Sequence, residues 1–160
     1  MRNSRIQLEF VETENDSDLV EAMRSLFADT VIFYLKAHGY HWNVEGPDFG
    51  PFHKLFEGIY EEVYGTVDDM AEHVRKLDAF AIYTIAMIEK YRTLSDTPLT
   101  GPQPLPMVQD LLLANEMLLS RIAVCFKLAE AKGEQGLMNY LADRTDAHRK
   151  HGWFLRATVK

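Results

Sequence analysis

Two histidines flank a turn in the stretch HWNVEGPDFGPFHKLFE, residues 41–57, and a carboxylate follows the second histidine by four positions: His41, His53 and Glu57. Eleven residues beyond Glu57 comes an acidic pair, Asp68 and Glu72. Imidazoles and carboxylates without thiolate form a mixed nitrogen and oxygen donor set, suited to Fe(II) and also to Mn(II) or Zn(II). Residues 49–77 carry helical periodicity, and at about 100° per residue His53, Glu57, Asp68 and Glu72 fall within roughly 100° of one another, on one face. His53 with Glu57 spans one turn, as does Asp68 with Glu72, but at about 1.5 Å rise per residue the two pairs stand about 16 Å apart along the axis. Metal bonds are only about 2 Å long, so no single metal is held by both pairs of one helix. The sequence contains two half-sites. A second copy of the helix, packed antiparallel about a two-fold axis, brings the His53/Glu57 end of one chain to the Asp68/Glu72 end of the other, twice per dimer. His41, in the apolar stripe of the preceding helix, can be turned back onto the same place.

The alternative is a di-iron centre inside one chain, which requires Glu-x-x-His on two helices. Three residues before His38, His41, His53, His73, His148 and His151 stand Leu35, His38, Gly50, Met70, Thr145 and His148, so the pattern is missing.

The elements that must position these residues are all helical. Residues 17–42 place Leu19, Met23, Leu26, Phe27, Val31, Tyr34 and Ala37 at three- and four-residue spacings, with Ser17 or Asp18 able to cap the start. Glu45-Gly46-Pro47-Asp48 is a turn, and a second helix runs over 49–77, interrupted in pattern only by Gly58 and Gly65. Residues 79–94 read as a short helix or an irregular crossover, and SDTPLTGPQPLP, with four prolines and a glycine, is the main loop. Pro106 suits the first position of a third helix, over 107–132, which Gly133 can end in the left-handed conformation. A fourth helix is expected over 134–158. No strand pattern or repeat appears, so the expectation is all-α: a four-helix bundle with a short extra helix in the long connection between helices two and three. Val31-Ile32-Phe33-Tyr34-Leu35 is apolar all round the first helix, where a monomer's surface helix keeps one face polar, and a partner chain is expected there.

Composition narrows the function classes. The 160 residues are the size of one domain, and 47% hydrophobic content is ordinary for a globular protein. With 24 acidic against 17 basic side chains the net charge is -7, which opposes attraction to phosphate backbones and anionic membranes. No apolar run approaches the roughly 20 residues of a membrane span. One cysteine, Cys125, and a start lacking an apolar leader make the cytoplasm the expected compartment.

The run HWNVEGPDFGPFHKLFE, continued by DDMAEH over 68–73, closely resembles the signature of the Dps family, the mini-ferritins, and RTDAHRKHGWFLRA over 144–157 is similar to that family's closing helix. The resemblance covers most of 17–158 and implies a ferritin-like domain over 17–160 behind an N-terminal tail, 1–16. It further implies a twelve-subunit cage that oxidises Fe(II) to Fe(III) with hydrogen peroxide or O2 and stores the ferric mineral. In that reading His41, His53 and Glu57 serve one side of a di-iron ferroxidase site at the dimer interface, Asp68 and Glu72 of the other chain complete it, and Trp42 stands beside it to trap oxidising equivalents. Zn(II) or Mn(II) are the expected competitors. Glu57 departs from the aspartate of many members by one methylene. Asp143 and Asp146 are candidates for an iron-admitting pore.

Many Dps proteins coat DNA through lysine-rich tails, so the alternative function is a nucleoid-protecting DNA-binding protein with a secondary metal site. Here the first 35 residues contain no lysine, and Arg2 and Arg5 are followed by Glu9, Glu12, Glu14, Asp16 and Asp18. The cations of the closing helix, Arg144, Arg149, Lys150, Arg156 and Lys160, are those expected near a helix carboxyl end. DNA binding is expected to be weak or absent. A third reading is a helical interaction module without chemistry. His38 is expected to be a partly buried structural residue, His73, His148 and His151 solvated or salt-bridged, and Cys125, Trp153 and the methionines core.

Overall fold

The computed structural model describes residues 17–160, which form α1 (Asp18–Asn43), α2 (Phe49–Tyr64), α3 (Val67–Lys76), α4 (Ile85–Tyr91), α5 (Pro104–Lys132) and α6 (Gln135–Thr158). No strand occurs among them, and the expected tail over 1–16 lies outside the described residues. The rods of the bundle are α1, the α2/α3 pair, α5 and α6, with α1 packed against α2, α3, α4 and α5, and α5 against α6. The core they enclose is built on Leu19, Met23, Leu26 and Phe33 of α1, Phe56 of α2, Leu111, Leu118 and Ile122 of α5, and Leu141 and Leu155 of α6, all fully buried.

The expected second helix is two helices. Gly58 sits inside α2 without interrupting it, whereas the chain tightens after Tyr64: the Gly65 N–H reaches the Glu61 carbonyl at 3.2 Å, and both the Thr66 N–H and its hydroxyl donate to the Val63 carbonyl. A threonine that satisfies its own carbonyl neighbour competes with helix continuation. Val63, Met70 and Val74 stay buried on both sides of the break, so α3 keeps to the same core as α2.

Two buried polar residues of α1 pin the crossover. The Arg24 guanidinium donates twice to the Phe80 carbonyl at the start of the connection. Asp29, 2% exposed, accepts from the Thr93 N–H, the Thr93 hydroxyl and the Leu94 N–H at 2.6–2.9 Å. The helix α5 begins at Pro104, earlier than the expected start, and Pro106 falls in its first turn, where the missing N–H has no intrahelical acceptor to lose. It ends as expected at Gly133, φ 70°, with Gly133 N–H to the Glu130 carbonyl and Glu134 N–H to the Ala129 carbonyl.

Three expectations about α6 and the core are corrected. His148 is not solvated: it is 2% exposed, its Nδ1–H donates to Asn115 Oδ1 at 2.9 Å, and Asn115 Nδ2 donates back to the His148 carbonyl. Trp153 is 63% exposed rather than core, its ring tilted against that of the exposed Phe154. Met117 likewise lies on the surface, while Met23, Met70 and Met107 are buried. His151 is salt-bridged as expected, to Glu62. Cys125 is a core residue whose thiol burial pushes up to about 12.

The buried histidine makes stability depend on pH. Burial, followed by the neighbouring Arg144 and His151, pushes His148 from 6.5 down to about 3. Above the unfolded value the group is neutral in both states and costs nothing. As pH falls through 6.5, the unfolded chain takes up a proton that the folded chain refuses, so stability is lost by up to about 1.4 kcal/mol per pH unit. The urea midpoint is expected to drop between pH 7 and pH 5 by the equivalent of about 2 kcal/mol per chain, and His148→Gln should flatten that dependence.

Candidate metal centre

His41 lies in the last turn of α1 and His53 in the second turn of α2. The link between them is short and fixed at both ends: the buried Val44 closes α1 through its N–H to the Tyr40 carbonyl, and the Glu45 N–H is held by the Pro102 carbonyl. Gly46, φ 128°, turns the chain, and its carbonyl accepts the Phe49 N–H. That φ belongs to glycine, which explains its place in the turn.

The two histidines then hold each other. His41 Nδ1–H donates to the His53 carbonyl at 3.0 Å, and His53 Nδ1–H donates to the His41 carbonyl at 2.8 Å. A carbonyl only accepts, so Nδ1 carries the proton in both rings and each neutral imidazole keeps its Nε2 lone pair for a metal. The rings stack with centroids 3.6 Å apart and planes 23° off parallel. Glu57, one turn after His53, completes the group: ligand atoms of His41, His53 and Glu57 all lie within 4.8 Å of one another. Lys54 Nζ donates to Glu57 Oε1 at 2.7 Å, while Oε2 stands 4.0 Å from His41 Nδ1. The Lys54 hydrogen bond and its charge, against some desolvation, hold the Glu57 carboxyl below its usual range, in the anionic form a metal needs.

Asp68 and Glu72 lie outside that group. They stand exposed on α3, Asp68 in its first turn, where a carboxylate complements the helix dipole, and Glu72 at 4.0 Å from Lys76. Asp143 and Asp146 are exposed on α6.

Aromatic rings surround the histidine pair. Tyr60 meets His41 edge-on at 5.1 Å and stacks flat on His38, centroids 3.9 Å apart. Trp42, 63% exposed, lies on His38 at 4.1 Å, and the Tyr34 hydroxyl is 3.0 Å from His38 Nδ1. Tyr60 and Lys54 were absent from the sequence-based set. Spacing offered a signal for both, since Tyr60 follows His53 by seven residues, two turns along the same face, and Lys54 precedes Glu57 by three.

Residues 20–160 match the ferritin-like domain family. Among relatives, the chain is similar to the DNA protection during starvation protein of Helicobacter pylori, 28% identical over 137 residues that cover 86% of this chain and 95% of that one. General stress protein 20U of Bacillus subtilis is 30% identical over 140 residues, 87% of this chain and 95% of the relative. Among solved structures, the Dps protein of Vibrio cholerae O1, described as a member of a broad superfamily of ferritin-like diiron-carboxylate proteins, superposes with a TM-score of 0.84 at 27% identity, over 89% of each chain.

Proposed function

The chain belongs to the Dps family of ferritin-like proteins, and from that premise we propose that it is an iron-oxidising, iron-storing mini-ferritin that removes Fe(II) and hydrogen peroxide together. The observation that carries this reading is the pair of histidines locked Nδ1 to carbonyl with both Nε2 atoms left for metal, beside an anionic Glu57. Such a set suits Fe(II) as substrate, with Zn(II) or Mn(II) as competitors. One chain gathers three donors, and Asp68 and Glu72 stand exposed on the next helix. The proposed ferroxidase site therefore combines His41, His53 and Glu57 of one chain with the partner subunit's Asp68 and Glu72 across a two-fold axis, a set of five donors shared between two irons. The exposed apolar side chains Leu35, Trp42 and Tyr64 on α1 and α2 support a partner on this face.

Two Fe(II) held together give two electrons to one peroxide, which leaves as two hydroxides and releases no radical. O2 is the alternative oxidant. The assembly is proposed to be a twelve-subunit cytoplasmic cage of domains 17–160, each behind a tail over 1–16. Among the described residues no helix is long and apolar enough to cross a membrane. The net charge of -7 disfavours the DNA-binding alternative at physiological salt.

Fe(II) added with half-equivalent hydrogen peroxide, followed by ferric absorbance, tests the reading. Oxidation completed well before the buffer control, with ferric product co-eluting with the protein on size exclusion, is expected. A rate equal to buffer would leave a mini-ferritin fold without its chemistry.

A further inference from the structure

The aromatic rings beside the histidine pair form a connected path whose far end differs chemically from the rest. Tyr60 touches His41 edge-on, His38 stacks on Tyr60 with planes only 15° apart, and from His38 the contacts fork to Trp42 at 4.1 Å and to Tyr34 at 5.5 Å between centroids. Tyr34 in turn lies 5.2 Å from Tyr64. Among the described residues of this cluster, the Tyr34 hydroxyl is the one hydrogen-bonded to a base, His38 Nδ1 at 3.0 Å. Tyr34 and His38 are separated by one turn of α1, which fixes that bond, and both are half-buried.

The base decides where an oxidising equivalent comes to rest. A phenol that loses an electron becomes a very strong acid, so its oxidation is easy only where the proton has a nearby acceptor. With His38 as its Nε2–H tautomer, the Tyr34 hydroxyl already points its proton at Nδ1. Trp42, by contrast, shares only a ring contact with His38.

We propose that Tyr34, paired with His38, is the redox-active residue of this protein: it yields one electron through the His38/Tyr60 stack to the metal site whenever a single Fe(II) meets peroxide there. This rests on the ferroxidase reading of the site. One Fe(II) supplies one of the two electrons that hydrogen peroxide requires, and Tyr34 supplies the other. The O–O bond breaks to give two hydroxides, iron becomes Fe(III), Tyr34 becomes a neutral tyrosyl radical, and its proton moves to His38, which becomes imidazolium. Without Tyr34 the second electron is taken from whatever the hydroxyl radical reaches.

The test is freeze-quench electron paramagnetic resonance after mixing the protein with less than one Fe(II) per site and excess hydrogen peroxide, with protein carrying either ring-deuterated tyrosine or ring-deuterated tryptophan. The expected result is a radical near g = 2 whose hyperfine structure collapses with the tyrosine label and not with the tryptophan label. The signal should be lost in Tyr34→Phe, at unchanged assembly size and unchanged rate of ferric absorbance. His38→Gln, which keeps a hydrogen-bond acceptor but cannot take the proton, should shorten the radical's life. A radical that follows the tryptophan label, or a tyrosyl signal that survives Tyr34→Phe, overturns the proposal. A second arm separates it from the iron chemistry: iron-free protein is oxidised by photogenerated ruthenium(III) tris-bipyridine. A Tyr34 radical there, with no iron oxidation in the first arm, refutes the ferroxidase reading and leaves Tyr34 redox-active without an iron partner, while iron oxidation in the first arm without a Tyr34 radical in either arm overturns the proposal.

Discussion

Chains carrying His53→Ala and chains carrying Asp68→Ala, each expected to oxidise Fe(II) no faster than buffer, should regain about a quarter of the parent rate when unfolded and refolded together in equal amounts. The proposed site joins the histidine end of one chain to the acidic end of its partner. Either single substitution damages both sites of a homodimer. In a mixed dimer one site receives both damaged ends and the other receives neither. Random pairing makes half of the dimers mixed, and half of their sites intact. Loss in each variant alone should be on the order of 100-fold or more, because a ligand removed from a site of so few donors leaves the iron without its geometry. The measurement is initial ferric absorbance with peroxide, on cages whose mass spectrum shows both chains. No recovery in such cages would exclude the shared site and return attention to the three donors that one chain gathers by itself, His41, His53 and Glu57.

Glu62→Leu is expected to cost about 3 kcal/mol of stability, with no ligand lost from the metal centre. Glu62 of α2 is the hub between that helix and α6: Arg144 grips its carboxylate with both terminal nitrogens, and His151 Nε2 is 2.8 Å from Oε2. Burial would raise the Glu62 carboxyl, but the hydrogen bonds from His151 and Arg144 outweigh it and hold the group well below the usual carboxylate range. Arg144 is 5% exposed, so leucine at position 62 leaves a guanidinium buried without its counter-charge. Breaking a buried pair costs about 3–5 kcal/mol, and the low end applies because the Glu62 side chain remains 35% exposed. For a chain of this size that corresponds to a fall in melting temperature of about 6–12 °C. Adding Arg144→Met should restore most of it, since an apolar pair of similar volume needs no charge balance. A single variant within about 0.5 kcal/mol of the parent would show that the pair is ornamental to stability.

The grouping of the candidate donors was legible in the sequence to the extent that helical spacing determines neighbours. His53 and Glu57, four apart, had to share a face, and the Glu57–Asp68 separation had to split the donors into two groups. The turn at Gly46-Pro47 said that α1 and α2 run back alongside each other, which made His41 a candidate for the same place. What the spacing does not carry is orientation. The reciprocal bonds between each histidine's Nδ1 and the other's carbonyl depend on how closely two helices approach, and those bonds choose which nitrogen keeps its lone pair. The same limit hid the stacking of Tyr60 on His38 across the two helices.

Elsewhere local signals were right wherever a local cause operates and failed where a distant partner decides. Gly133 ends α5 because a left-handed residue there closes two hydrogen bonds within its own turn. The break at Gly65-Thr66 is masked in the sequence because the periodicity of Val63, Met70 and Val74 runs through it, one core being shared by both pieces. The burial of His148 is invisible in the sequence because nothing near it announces Asn115, thirty-three residues away, whose amide satisfies both its ring and its carbonyl.

The sequence by itself determined the helical periods, the turn that pairs α1 with α2, the types of the candidate donors and their separation into two groups, because these follow from residue chemistry and a fixed rise per residue. Only the tertiary structure decided which polar groups are buried and with whom, since burial of Asp29, Asn115, Arg144 and His148 is tolerable only once partners from the crossover and from other helices supply their hydrogen bonds.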